Sequence, residues 1–148
     1  MSNGVLFGHD AAVGAWAFQA HNKVPHKFDR AIGIVDPQGQ LIGAALFHSW
    51  NGCNATLSYY GKKTASLGIA RTLAKVGILD LDLGRVTVVV PKKSKRLARG
   101  LLKLGFKVEG VQRCYFGHRD CPRNTGVRFV MFREQIAKLA ELDIQKVA

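Results

Sequence analysis

The chain has 148 residues, 47% hydrophobic and 22% charged, the composition of one folded domain spanning 1–148 rather than of a disordered tract. No apolar run approaches the ~18 residues that cross a bilayer, and the opening MSNGVLFGHD lacks the basic-then-apolar order of a secretory leader, so a cytoplasmic protein without membrane contact is expected. The net charge of +12 is concentrated: residues 85–133 hold 13 Lys plus Arg against Glu109 and Asp120, a field that attracts nucleic acid, anionic membrane or a phosphorylated small molecule without choosing among them. Cys53, Cys114 and Cys121 leave one thiol over in any disulfide scheme and fit a reducing compartment.

In chain order, Asp10 is placed to cap a helix through AAVGAWAFQAH, with Val13, Trp16, Ala17 and Ala20 on one face. RAIGIVD and LIGAALFHSW read as strands joined by the turn PQGQ, where Pro37 and Gly39 supply the turn geometry, and NATLSYY reads as a third strand after NGC. From Thr64 to Leu79, Leu67, Ile69, Ala70, Leu73, Val76 and Gly77 recur at helical spacing, with Thr64 or Ser66 as the cap. RVTVVV is apolar enough for a strand buried on both faces.

The next stretch, PKKSKRLARGLLKLGF, carries Lys92, Lys93, Lys95, Arg96, Arg99 and Lys103 and no acid. On a helix starting at a Ser94 cap, Leu97, Leu101 and Leu104 share a narrow arc, while Lys95, Arg96, Arg99 and Lys103 face away from it. Gly105 stands where a left-handed residue ends a helix, followed by apolar Phe106. KVEGVQRCYFG and GVRFVMF then read as two strands around the polar loop HRDCPRNT, and REQIAKLAELDIQ as a closing helix. The result is an α+β fold: a mixed, mainly antiparallel central sheet with helices on both faces.

Arg85 to Arg113, RVTVVVPKKSKRLARGLLKLGFKVEGVQR, resembles in order and spacing the strand, helix, LGF stop and EG..R strand of the GNAT N-acetyltransferase superfamily, in particular its short single-domain members. SYYGKKTASLGIARTLAKV occupies the place of that family's acetyl-CoA loop, Gln/Arg-x-x-Gly-x-Gly/Ala, whose last two fixed positions Gly68 and Ala70 match. The resemblance implies an acetyl-CoA-dependent N-acyltransferase acting on an amine, with a negatively charged acceptor suggested by the field. It implies that Ala65, Ser66, Leu67, Gly68, Ile69 and Ala70 cradle the coenzyme diphosphate, with Arg71, Lys62 and Lys63 nearby. Leu57, Ser58, Tyr59 and Tyr60 would supply the strand that pairs with the pantetheine arm, and Ser94 would lie at the start of the following helix. A helix N-terminus with unpaired N–H groups is the physical basis of such an anion site.

Four departures bear on catalysis. Ala65 replaces the loop's Gln/Arg, Ser94 stands at the place of an Asn, Leu101 at that of a Tyr that protonates the leaving thiolate, and the strand Cys53–Tyr60 has no carboxylate to act as base. His48, Tyr59 and Asp10 are the candidate bases, His48 fitting a structural histidine as well. The alternative is a non-catalytic protein of the same fold that contacts nucleic acid or a protein partner through its 85–133 face, with Lys92, Lys93, Lys95, Arg96, Arg99 and Lys103 on phosphates and Tyr115 and Phe116 adding aromatic character. Cys114, His118, Asp120 and Cys121 match no paired zinc knuckle and lack a clear fourth ligand, so no metal site is expected. The oligomeric state stays open, a dimer included.

Overall fold

In the computed structural model, which describes residues 3–61 and 66–143, seven strands form one sheet. A short β1 (Gly4–Leu6) precedes α1 (Asp10–Ala20) and the meander β2 (Arg30–Val35), β3 (Leu41–His48) and β4 (Asn54–Gly61). There follow α2 (Leu67–Leu79), β5 (Arg85–Pro91), α3 (Lys95–Leu104), β6 (Lys107–Gln112), a 3-10 turn at Pro122–Asn124, β7 (Gly126–Phe132) and α4 (Arg133–Leu139). The spatial order is β1-β2-β3-β4-β5-β7-β6, antiparallel except where β4 meets β5. The fold is therefore the mixed, mainly antiparallel α+β sheet with helices on both faces.

Two cores hold the layers. Ile32, Ile34, Ala45, Phe47, Ala55, Val86, Phe129 and Met131 of the sheet pack with Ile69, Leu73 and Val76 of α2 and Ile136 and Ala137 of α4. On the other face Ala31, Ala44 and Leu46 pack with Val13, Ala17 and Phe18 of α1. The strand period of 2 and the helix period of 3.6 send these residues inward.

Several elements differ from the sequence expectation. Asp10 is not the cap of α1: His9 holds that position without a side-chain bond, and the Asp10 carboxylate accepts the Ala31 N–H at 3.0 Å and pairs with Arg30 at 3.3 Å. The buried face of α1 is Val13, Gly14, Ala17 and Phe18, leaving Trp16 half-buried and Ala20 exposed. Ser94 takes the N-cap position of α3 without a capping bond, and Leu97 is 43% exposed instead of buried. Only Ala98, Leu101 and Leu104 hold that helix to the core, each partly buried. β6 stops at Gln112, short of the 107–117 stretch, and the closing helix stops at Leu139, short of the 133–145 stretch, of which the residues past Asp143 lie outside the described residues.

The LGF stop behaves as the sequence predicts. Gly105 has φ +109°, the Phe106 N–H reaches back to the Leu101 carbonyl at 3.0 Å, and the Phe106 ring enters the core.

Two glycine substitutions test the packing in opposite directions. A Cβ on Gly14 would sit 2.4 Å from the Phe28 ring, so Gly14→Ala is expected to cost about 1–3 kcal/mol in a denaturant titration. Gly100, inside α3, has nothing within 4 Å of that position, so Gly100→Ala should stabilise by about 0.5–1 kcal/mol.

Candidate active site

The parallel strands β4 and β5 pair only through Asn54, Ala55 and Thr56 against Arg85, Val86 and Thr87. Beyond Thr56, β4 runs on to Gly61 with β3 alone beside it, and beyond Thr87, β5 runs on to Pro91 with β7 alone beside it. The strands make a fork open toward their C-terminal ends. Along residues 57–61, roughly 16 Å at 3.3 Å per residue, the β4 backbone groups that point toward β5 have no sheet partner. Leu57 and Val88, the first residues past the last pair, are only partly buried, and Val89 is likewise half-exposed. The expectation that β5 is buried on both faces holds for Val86 and Thr87 and fails at the fork, where its neighbour leaves.

The start of α2 follows the open end of β4. Ser66 is its N-cap: Oγ accepts the Ile69 N–H at 3.2 Å and the carbonyl accepts the Ala70 N–H at 2.9 Å. Among the described residues, the amides without a partner at this end are those of Leu67 and Gly68, the first two helical positions. Both residues are exposed, and among the described residues a Cβ on Gly68 would meet only Ser66 Oγ, at 3.8 Å. Ile69 directs its side chain into the core, and Ala70 is half-buried. Arg71 turns toward Glu141, 3.3 Å away. Ala65, Lys62 and Lys63 lie outside the described residues.

Of the three candidate bases, His48 and Tyr59 lie along the fork and Asp10 does not. His48 stands opposite Thr56, and its Nε2 lies 2.9 Å from Oγ of Ser58, two residues past the last β4–β5 pair. Its pKa is pushed below 6.5, first by burial and next by His26, with Asp29 opposing, so the ring is neutral and able to accept a proton near pH 7. Asp10 is spent on Arg30 and the β2 backbone. Tyr59 lies over the glycine pair Gly43 and Gly61 on the β3 side, and burial raises its pKa, which keeps the phenol protonated.

Tyr60 turns to the α1 face between Phe18 and His21, with ring centroids at 6.4 and 5.6 Å. Its pKa is also raised, by burial first, with a hydrogen bond to Ser58 opposing. His26, whose ring centroid is 5.0 Å from that of His48, and Asp29, which accepts the Trp50 N–H at 3.0 Å, were not marked by any local motif. Both come from the irregular segment after α1, where only the folded chain places them.

Ser94 is half-buried at the end of β5, its hydroxyl not spent on capping α3. Leu101 packs against the main core and has no proton to give. In the β6–β7 loop, Cys114 Sγ lies 3.7 Å from the His118 carbonyl, and both Asp120 oxygens are taken by Arg113.

No protein-family model matches the chain, and no curated protein sequence does. Solved structures are similar. A single-residue mutant of spermidine N-acetyltransferase SpeG from Vibrio cholerae superposes with TM-score 0.60 at 18% identity over 80% of this chain and 72% of that one. A chimera of the same enzyme with hSSAT gives TM-score 0.63 at 17% identity, over 80% and 75%. A GNAT-family acetyltransferase from Bacillus anthracis gives TM-score 0.57 at 15% identity, over 70% and 66%. At these identities it is the architecture that is shared, and the chain has the fold of the GNAT acetyltransferases.

Proposed function

We propose that the chain is an N-acyltransferase that uses acetyl-coenzyme A and acts on an amine carrying negative charge. The observation that carries this reading is the fork: β4 leaves β5 after three paired residues, and the open first turn of α2 follows at its mouth. An extended arm with amide groups fits an unpaired strand edge, and a diphosphate fits bare amides at the positive end of a helix.

The residues present fit such a co-substrate. The amides of Leu67 and Gly68 would hold the diphosphate, with Ser66, Ile69 and Ala70 shaping the turn behind them. The Leu57–Tyr60 edge would pair with the arm, and Leu57, Val88 and the Ser94 hydroxyl would line the gap. When bound, the co-substrate supplies a thioester carbonyl to an attacking amine. A β4 N–H at the fork would meet the charge that develops on its oxygen. His48, through the Ser58 hydroxyl, would take the amine's proton.

The charge inventory supports the choice of acceptor. Asp10, Asp80, Asp82, Glu109, Asp120 and Glu141 are in ion pairs with arginines, and Asp29 and Asp36 accept backbone N–H groups. Of these, only Asp29 stands beside His48, a single carboxylate against a net charge of +12. The polyamine named for SpeG is therefore a poor acceptor here, and an amine bearing phosphate or carboxylate a better one.

Titration calorimetry tests the co-substrate: wild type should bind acetyl-CoA, and Gly68→Phe should weaken that binding at least about tenfold, or 1.4 kcal/mol. No heat with wild type at high micromolar ligand would remove the reading. In an acetylation assay with a phosphate-bearing amine, His48→Gln should lower kcat by roughly 10²–10⁴-fold while leaving acetyl-CoA affinity in place. Because the working form is the neutral ring and its pKa is depressed, the wild-type rate should be level above neutrality and fall only below about pH 6.5. Spermidine should be acetylated more slowly than the phosphate-bearing amine; the reverse order would contradict the charge-based choice.

A further inference from the structure

A second surface lies outside the fork. Lys92, Lys93, Lys95, Arg96, Arg99 and Lys103 are in no ion pair among the described residues. All six are exposed. Lys95, Arg99 and Lys103 follow one another at i, i+4 and i+8 and form a row rising about 6 Å per step along α3. That step is close to the separation of consecutive phosphates on an extended strand. The helix can present the row because only its Ala98, Leu101 and Leu104 stripe is docked.

The β6–β7 loop extends this surface. The Lys92 N–H bonds to the Thr125 carbonyl at 2.9 Å, which ties the chain entering α3 to the end of the loop. Tyr115 and Phe116 meet edge to face with ring centroids at 4.8 Å, packed over Gly126, and remain 38% and 41% exposed. Arg119 and Arg123, also exposed, stand in the same loop and in no ion pair among the described residues. The only acids between residues 85 and 133, Glu109 and Asp120, are occupied by Arg85 and Arg113.

We propose that α3 and the β6–β7 loop together bind single-stranded nucleic acid, the cations tracking phosphates and Tyr115 and Phe116 offering ring faces to unpaired bases. A coenzyme diphosphate at the start of α2 accounts for one anion at the fork; a row about 12 Å long on a different helix asks for a polymer. Exposed aromatic rings in the loop that also carries Arg119 and Arg123 favour splayed bases over a duplex, whose bases are stacked inside.

Fluorescence anisotropy with labelled DNA and RNA single strands of about 12 nucleotides, a duplex of the same sequence and anionic vesicles tests this on the full chain. Expected is single-strand binding that falls roughly 10²–10³-fold between 50 and 200 mM salt, as about six phosphate contacts require, and that persists with coenzyme A at saturation. The DNA and RNA arms report which sugar is preferred, and binding of either supports the surface. The variant Lys95→Ala with Arg99→Ala and Lys103→Ala should weaken binding at least tenfold and flatten the salt slope while acetyl-CoA calorimetry is unchanged. Tyr115→Ala with Phe116→Ala should weaken single-strand binding more than duplex binding. No binding at 50 mM salt, displacement by coenzyme A, equal loss on duplex and single strand in the aromatic variant, or a preference for vesicles would each overturn it. Failure here with intact acetyl-CoA binding leaves the acyltransferase reading standing, and the converse also holds.

Discussion

The feature on which the site depends is a hydrogen-bond ladder that stops early. Two parallel strands joined by a helix would ordinarily pair along their shared length, because an unpaired buried N–H or C=O costs free energy. Here the ladder of β4 and β5 covers three residue pairs, while each strand keeps a full partner on its outer side. The outer ladders keep both strands ordered while the inner edges face a gap. The open helix start and the His48–Ser58 pair border that gap.

The second organising constraint is the scarcity of free negative charge. Ten acids serve 22 Lys plus Arg, and most of the acids are fixed by partners that tie the fold together: Asp10 and Asp80 both reach Arg30, Asp82 reaches Arg133, and Glu141 reaches Arg71. Exposed pairs of this kind add little stability individually. Their consequence is electrostatic: among the described residues they leave the cations of α3 and Arg119 and Arg123 of the β6–β7 loop without an acidic partner.

Legibility in the sequence followed the range of the interaction. The end of α3 at Leu104-Gly105-Phe106, the Ser66 cap of α2 and the β2–β3 turn were readable because each is decided within a few residues by backbone geometry or a local side-chain bond. Asp10 was misplaced because a capping role and a long-range role use the same carboxylate, and the bond to Ala31 and the pair with Arg30 prevail. Leu97 was misplaced because its helix docks along a narrower stripe than its apolar arc. β1 has only three residues, too few to show alternation. The fork could be reached from sequence only through resemblance, since the length over which two strands pair across a helix is a tertiary property, and His26 and Asp29 carried no signal at all.

Amide hydrogen exchange of the chain with and without acetyl-CoA tests the fork most directly. The fork predicts that inward-facing β4 amides between Leu57 and Gly61, together with those of Leu67 and Gly68, exchange fast in the free protein and become protected when the co-substrate is added. Slow exchange along that edge in the free protein, or protection that appears on α3 and leaves β4 untouched, would contradict it.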